Sequence, residues 1–192
     1  MKQKVENDQL KELIQRCVSH DRIAQEQLFK LFYGKMMGVC LRYTKDRDRA
    51  QEVVQESFIK IFDKLDEFDF KGSFEGWVRR IMVNASIDAI RKRNRQPFST
   101  DEEYMFNDSY SVQEHDFDDD ITKIKAEHAM EAIQQLSPAY QTVFNLYVIE
   151  NYSHKEIAQI LDINEGTSKS NLAKAKQNLR KILSEKFVKI DR

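Results

Sequence analysis

The chain has 192 residues, 41% of them hydrophobic and 33% charged, with a formal net charge of −1. That length holds one ordinary domain or two small ones, and with only 5 Gly and 2 Pro helices are expected to dominate. No run of about 18 apolar residues occurs, so no membrane insertion is expected. The N-terminal stretch MKQKVENDQLKELI mixes charges without an apolar signal region, which makes the cytoplasm the expected location. Cys17, Cys40 and the four scattered histidines (His20, His115, His128 and His154) form no metal-ligand or nucleophile spacing. No metal, cofactor, small-molecule substrate or catalysis is therefore expected. The two cysteines read as small buried hydrophobes.

The average charge hides an uneven distribution. Residues 1–95 carry 20 Lys/Arg against 15 Asp/Glu, residues 96–122 carry none against 9, and residues 123–192 carry 11 against 8. Two mildly basic blocks therefore flank an acidic strip. That strip, QPFSTDEEYMFNDSYSVQEHDFDDDIT, has no sustained period and reads as a flexible linker. The expected organisation is all-α: an N-terminal helical domain over 8–95, an acidic linker over 96–122 and a C-terminal helical domain over 123–188.

In chain order, apolar residues at helical spacing predict helices over 8–20 and 22–44, the second marked by Leu28, Leu31, Phe32 and Met36. Over 46–65, Ala50, Val53, Val54, Ser57, Phe58, Ile61, Phe62 and Leu65 follow the i, i+3, i+4, i+7 rule of an amphipathic helix. Its opposite face carries Glu52, Gln55, Glu56 and Ile59, an acidic-amide stripe with one apolar residue, which is either an ordinary solvated face or a partner-binding one. The segment DEFDFKGS is a loop, and Ser73 caps a long helix over 74–95. Trp77, Arg80, Asn84, Asp88, Arg91 and Arg95 fall on one stripe of that helix, and most other positions are apolar. An aromatic ring, an amide and arginines in line suit single-stranded DNA, where bases stack and phosphates pair; a buried core tryptophan is the equally weighted alternative.

In the C-terminal block, Ser137-Pro138 reads as an N-cap followed by Pro at the first helical position. Ser153 and Glu156 form a capping box. Ile157, Ala158, Ile160 and Leu161 mark a short helix, Asp162-Ile163-Asn164 a turn, and Leu172, Ala175, Leu179, Ile182 and Leu183 the apolar stripe of a long helix over about 165–187, capped by Asn164. This is a helix-turn-helix pattern, whose second helix enters the major groove of DNA N-terminus first. Residues 167–192 hold 8 basic and 2 acidic side chains. Opposite the stripe lie Ser170, Ala173, Lys174, Gln177 and Lys181. The base-reading end is expected to be Glu165, Gly166, Thr167, Lys169, Ser170, Ala173 and Lys174, while Lys176, Gln177 and Lys181 face backbone or solvent. Ser168 lies on the apolar stripe and is expected to be partly buried.

The stretch KEIAQILDINEGTSKSNLAKAKQNLRKIL resembles the promoter-reading C-terminal domain of the sigma-70 family, in its small extracytoplasmic-function group (group IV). The usual run there is EIA-x-x-L-G-x-x-EGTVKSRL-x-R-A. Three departures stand out. Asp162 occupies the turn-Gly position, Ser168 replaces Val, and Asn171 replaces an Arg expected beside the DNA face, which removes a phosphate contact. DRDRAQEVVQESFIKIF resembles the family's polymerase-gripping helix, and FEGWVRRIMVNASIDAIRKRNR its promoter-melting helix. The resemblance implies a non-catalytic sigma factor. It would bind core RNA polymerase through Glu52, Gln55, Glu56 and Ile59, with Val53, Val54 and Phe58 kept for its own core. It would read duplex promoter DNA at the −35 element with the last helix. It would melt the −10 element, binding the single strand through Phe68, Lys71, Ser73, Phe74, Trp77, Arg79, Arg80, Asn84, Arg91 and Lys92, with residues 68–74 as the base-trapping loop. It also implies an acidic linker suited to a basic RNA exit path and an anti-sigma partner. The residues alone leave open a helix-turn-helix regulator that does not dock on polymerase, and a helical adaptor that binds only protein.

Overall fold

The computed structural model describes residues 2–93, 98 and 126–190, with side chains described for 8–92, 98 and 129–184. Among the described residues all regular structure is helical. The chain divides into two compact units, Met1–Lys92 and Arg93–Arg192. Arg95 and, apart from Phe98, the acidic linker lie outside the described residues.

The N-terminal unit is built from α1 (Lys2–Val18), α2 (Arg22–Thr44), α3 (Arg47–Asp63), a 3-10 turn (Leu65–Glu67) and α4 (Phe74–Arg93). α1 starts earlier than the apolar spacing indicates, because its first turns are polar and carry no period to read. Asp21 begins α2 by accepting from the Ile23 and Ala24 amides, which satisfies two of the orphan donors at a helix start. The Arg16 guanidinium, 2.6 Å from Asp21, together with these amides holds the Asp21 carboxyl below its ordinary pKa. Lys45 closes α2 in the left-handed region at φ 60°, and Asp46 then caps α3 through the Asp48 amide. α3 ends at Asp63, two residues short of the expected end, because the chain tightens into the 3-10 turn. Ser73 caps α4 as expected, accepting from the Gly76 amide.

The apolar stripes meet inside this unit. Leu28, Phe32, Met36 and Cys40 of α2 are buried, as are Val53, Val54, Phe58 and Ile61 of α3 and Val78, Met82, Val83 and Ile87 of α4. Each such side chain contributes about 1.5–3 kcal/mol by leaving water. Cys17 and Cys40 are buried free thiols, and burial pushes both up to about 11, so neither is a ready thiolate at neutral pH.

The C-terminal unit contains α5 (Ala126–Gln134), α6 (Pro138–Phe144), a π-helical turn (Asn145–Ile149), α7 (His154–Leu161) and α8 (Glu165–Ile190). Ser137 has the extended N-cap backbone and Pro138 opens α6, but the Ser137 side chain makes no cap hydrogen bond, so that part of the expected cap is absent. The Ser153/Glu156 capping box is complete. Asp162 ends α7 at φ 56°, ψ 50°, a left-handed turn that Asp tolerates better than most residues. Asn164 Oδ1 accepts from the Thr167 amide at 2.7 Å and so caps α8. The core joins Leu136, Val143, Phe144 and Leu146 to Ile157 and Leu161 of α7 and to Leu172, Ala175 and Leu179 of α8.

Candidate nucleic-acid and polymerase interfaces

On α3 the second stripe is exposed in full. Glu52, Gln55 and Glu56 face solvent, and Ile59 is 63% exposed, while Val53, Val54 and Phe58 are in the core as expected. Arg49 lies 2.7 Å from Glu52. A groove of about 270 Å³ runs beside the stripe, lined by Glu52, Glu56 and Lys60 of α3 and Asp88, Arg91 and Lys92 of α4. The edge of the acidic stripe and the C-terminal end of the α4 stripe thus line the same groove.

Along α4, Arg80, Asn84, Asp88, Arg91 and Lys92 are exposed, and Trp77 and Arg79 are half-buried. Asp88 and Arg91 pair at 3.3 Å. Trp77 is neither core nor free. One side of its indole meets Phe68 and Phe74, with ring centroids 5.5 and 5.8 Å away.

The loop before α4 corrects two expectations. Phe68 and Phe74, expected to meet unpaired DNA, are buried. Phe74 packs edge-on against Phe32 of α2 and against Phe68, because the loop needs an apolar base to close over the helix ends. The ring that the loop exposes is Phe70, 42% accessible and held at φ 59°, an uncommon conformation for a bulky residue. Lys11 of α1 sits 5.4 Å from its centroid, within cation–π range. Lys71 and Ser73 are exposed beside it. The Lys71 ammonium and amide both bind Asp69 and hold that carboxyl below its ordinary pKa. Sequence reasoning did not single out Phe70, because periodicity does not assign faces in a loop.

In the C-terminal unit α8 presents Lys169, Ser170, Ala173, Lys174, Gln177 and Lys181 to solvent. Glu165 is exposed and lies 4.0 Å from Lys169, Thr167 is half-buried, and the Ser170 hydroxyl donates to the Thr167 carbonyl. A Cβ on Gly166 would lie 3.1 Å from Asn164 Oδ1, the atom that caps the helix, so this glycine protects the cap. Ser168 is fully buried, further inside than expected. Its hydroxyl lies 2.8 Å from His154 Nδ1, and the His154 ring stacks on Tyr147 at 4.5 Å. Burial, and then the nearby Lys169, keep the His154 pKa below its ordinary value, with Glu165 opposing.

Asn171 is a third correction. It was expected beside the DNA face, but it is fully buried and neither amide atom has a hydrogen-bond partner among the described residues. A buried polar group without a partner costs about 1–3 kcal/mol. Asn171→Leu, which keeps the branched outline of four side-chain heavy atoms, is therefore expected to stabilise the C-terminal unit by about that amount. Chemical denaturation would detect it as a raised midpoint, and an unchanged or lowered midpoint would contradict the assignment.

Together these features describe a helix-turn-helix protein carrying a second helical unit with one acidic and one aromatic-basic face. The comparisons with known proteins narrow that class. Residues 28–96 match the model described as Sigma-70 region 2, and residues 127–179 match the model described as Sigma-70, region 4. The chain is 28% identical over 183 residues to the ECF RNA polymerase sigma factor SigW of Bacillus subtilis, covering 92% of this chain and 97% of that one. It is 28% identical to the ECF RNA polymerase sigma-E factor of Haemophilus influenzae, over 86% of this chain and 90% of the other. Among solved structures it resembles the sigma factor RpoE of Bartonella quintana, crystallised with the anti-sigma factor NepR, at TM-score 0.51 and 21% identity over 83% of this chain and 96% of the other. That likeness speaks for the fold. The chain belongs to the sigma-70 family, in its extracytoplasmic-function group. It is a sigma factor, a subunit that binds core RNA polymerase and directs initiation at promoters. Among the described residues no helix is long and apolar enough to cross a membrane.

Proposed function

We propose that the two units divide the work of initiation residue by residue, as a non-catalytic subunit acting in the cytoplasm. Core polymerase docks on Glu52, Gln55, Glu56 and Ile59. The exposed face of α8, from Glu165 to Lys174, enters the major groove at the −35 element. Thr167 and Gly166 serve there mainly by keeping the helix start in shape. The α4 stripe and the preceding loop hold the melted −10 strand: Trp77 and Phe70 offer ring faces, Asn84 an amide, and Lys71, Arg79, Arg80, Arg91 and Lys92 the charge for phosphates. Ser73 acts through the cap of α4. The proposed domains are 8–95 and 123–188, joined by the acidic linker 96–122. An anti-sigma factor is the proposed regulator, and the solved relative bound to NepR is a precedent for such a partner.

The observation that carries this reading is the α4 stripe: a half-buried tryptophan in line with an exposed amide and exposed cations, on a helix that turns Val78, Met82, Val83 and Ile87 into the core. Trp77→Ala should leave binding to core unchanged and lower the permanganate reactivity of −10 thymines in the holoenzyme complex by about tenfold or more. One stacked base is worth about 1–3 kcal/mol. Undiminished thymine reactivity would remove Trp77 from the melting surface.

A further inference from the structure

Ser168 sits on the apolar stripe of α8 with Leu172, Ala175 and Leu179, where the family pattern has Val. Its hydroxyl is fully buried. Such a group is costly unless bonded, and its bond is to His154 Nδ1 at 2.8 Å. His154 is the first helical residue of α7, directly after the N-cap Ser153 and inside its capping box. Its ring is fixed a second time by Tyr147 of the π-helical turn, near-parallel at 23°. Three elements therefore converge on one part-buried hydrogen bond, whose Ser168 end is fully enclosed. The residues that follow Ser168 are Lys169 and Ser170, in the middle of the exposed face of α8.

Apolar contacts tolerate a small slide or rotation of one helix on another, because dispersion has no direction. A hydrogen bond does not, since it weakens steeply outside a narrow window of distance and angle. We propose that the Ser168–His154 hydrogen bond is a clasp that fixes the rotation of α8 on α7, making both side chains positioning residues for duplex reading at the −35 element. The inference rests on the reading of α8 as the −35 reader. The charged groups near the ring are Lys169 and Glu165 of α8, and burial keeps the ring neutral near pH 7. A neutral imidazole can give or take one proton at Nδ1, and the tautomer sets the direction of the bond.

The test uses holoenzyme assembled with purified core and a promoter recovered by mapping transcript starts. The readout is the ratio of affinities for that promoter with its −35 element intact and scrambled. Ser168→Ala and His154→Phe are each expected to lower the ratio by about tenfold, the scale of one lost hydrogen bond. Ser168→Thr, which keeps the hydroxyl, should stay within about twofold. The double variant should be no worse than either single one, because the two residues act as a unit. A purely structural role would lower the thermal midpoint and leave the ratio unchanged, and that result overturns the clasp. If the wild-type holoenzyme shows no preference for the intact −35 element, the reading of α8 has failed instead. Proton–nitrogen spectra of the His154 ring then decide the clasp by themselves. One fixed tautomer supports it, and a ring that exchanges tautomers as a free imidazole does overturns it.

Discussion

Glu52→Lys combined with Glu56→Lys is expected to weaken holoenzyme assembly strongly while leaving the fold intact. Both side chains are exposed on α3, one face away from Val53, Val54 and Phe58, which are buried. Surface substitutions of this kind change stability by roughly 0.5 kcal/mol or less. At an interface the same change places like charges against each other, which costs several kcal/mol. Two reversals on neighbouring turns should weaken binding to core by about a hundredfold or more. Arg49, already 2.7 Å from Glu52, would then add to the repulsion. Binding to core can be followed by native gel or fluorescence anisotropy, with far-UV circular dichroism to confirm helix content. Wild-type affinity in the double variant would move the docking surface off α3.

Phe74→Ala is expected to destabilise the N-terminal unit by about 3–5 kcal/mol, the range for deleting a buried aromatic. The ring is only 4% exposed and touches Phe32, Phe68 and Trp77, so its loss opens a cavity beneath the loop and loosens the start of α4. In a domain of this size each kcal/mol lowers the melting temperature by roughly 4–8 °C. The thermal transition of the N-terminal unit should therefore fall by more than about 10 °C. If Phe74 met DNA directly, as its position in the sequence suggests, Phe74→Ala would instead leave the midpoint nearly unchanged and impair only promoter opening. Phe70→Ala is the contrasting control: its ring is at the surface, and its main effect should be on opening.

These two cases also mark where the sequence is readable. The α3 stripes are legible because a regular helix repeats every 3.6 residues, so Val53 and Glu52 sort to opposite faces by counting alone. The same arithmetic places Ser168 inward, and it recovers the capping box at Ser153 and Glu156. The same count turns Asn171 inward, about 40° from Ala175 around the helix, although the family pattern carries an arginine there. The loop over 68–73 escapes this arithmetic. Which of Phe68, Phe70 and Phe74 is exposed depends on one left-handed residue, Phe70, and on a cluster completed by Phe32 from another helix. The His154–Ser168 bond spans 14 residues and exists only once α7 and α8 have packed. The π-helical turn at Asn145–Ile149 leaves no pattern in composition, yet it carries the Tyr147 ring that stacks on His154.

The central claim is that this chain directs polymerase to promoters, and run-off transcription with purified core enzyme tests it most directly. Templates should carry promoters mapped after overexpression of the chain. Transcripts that start at the mapped site only when the chain is present, and that disappear with Glu52→Lys/Glu56→Lys, are the predicted result. A chain that binds the promoter duplex but yields no start beyond those of core alone would contradict the account.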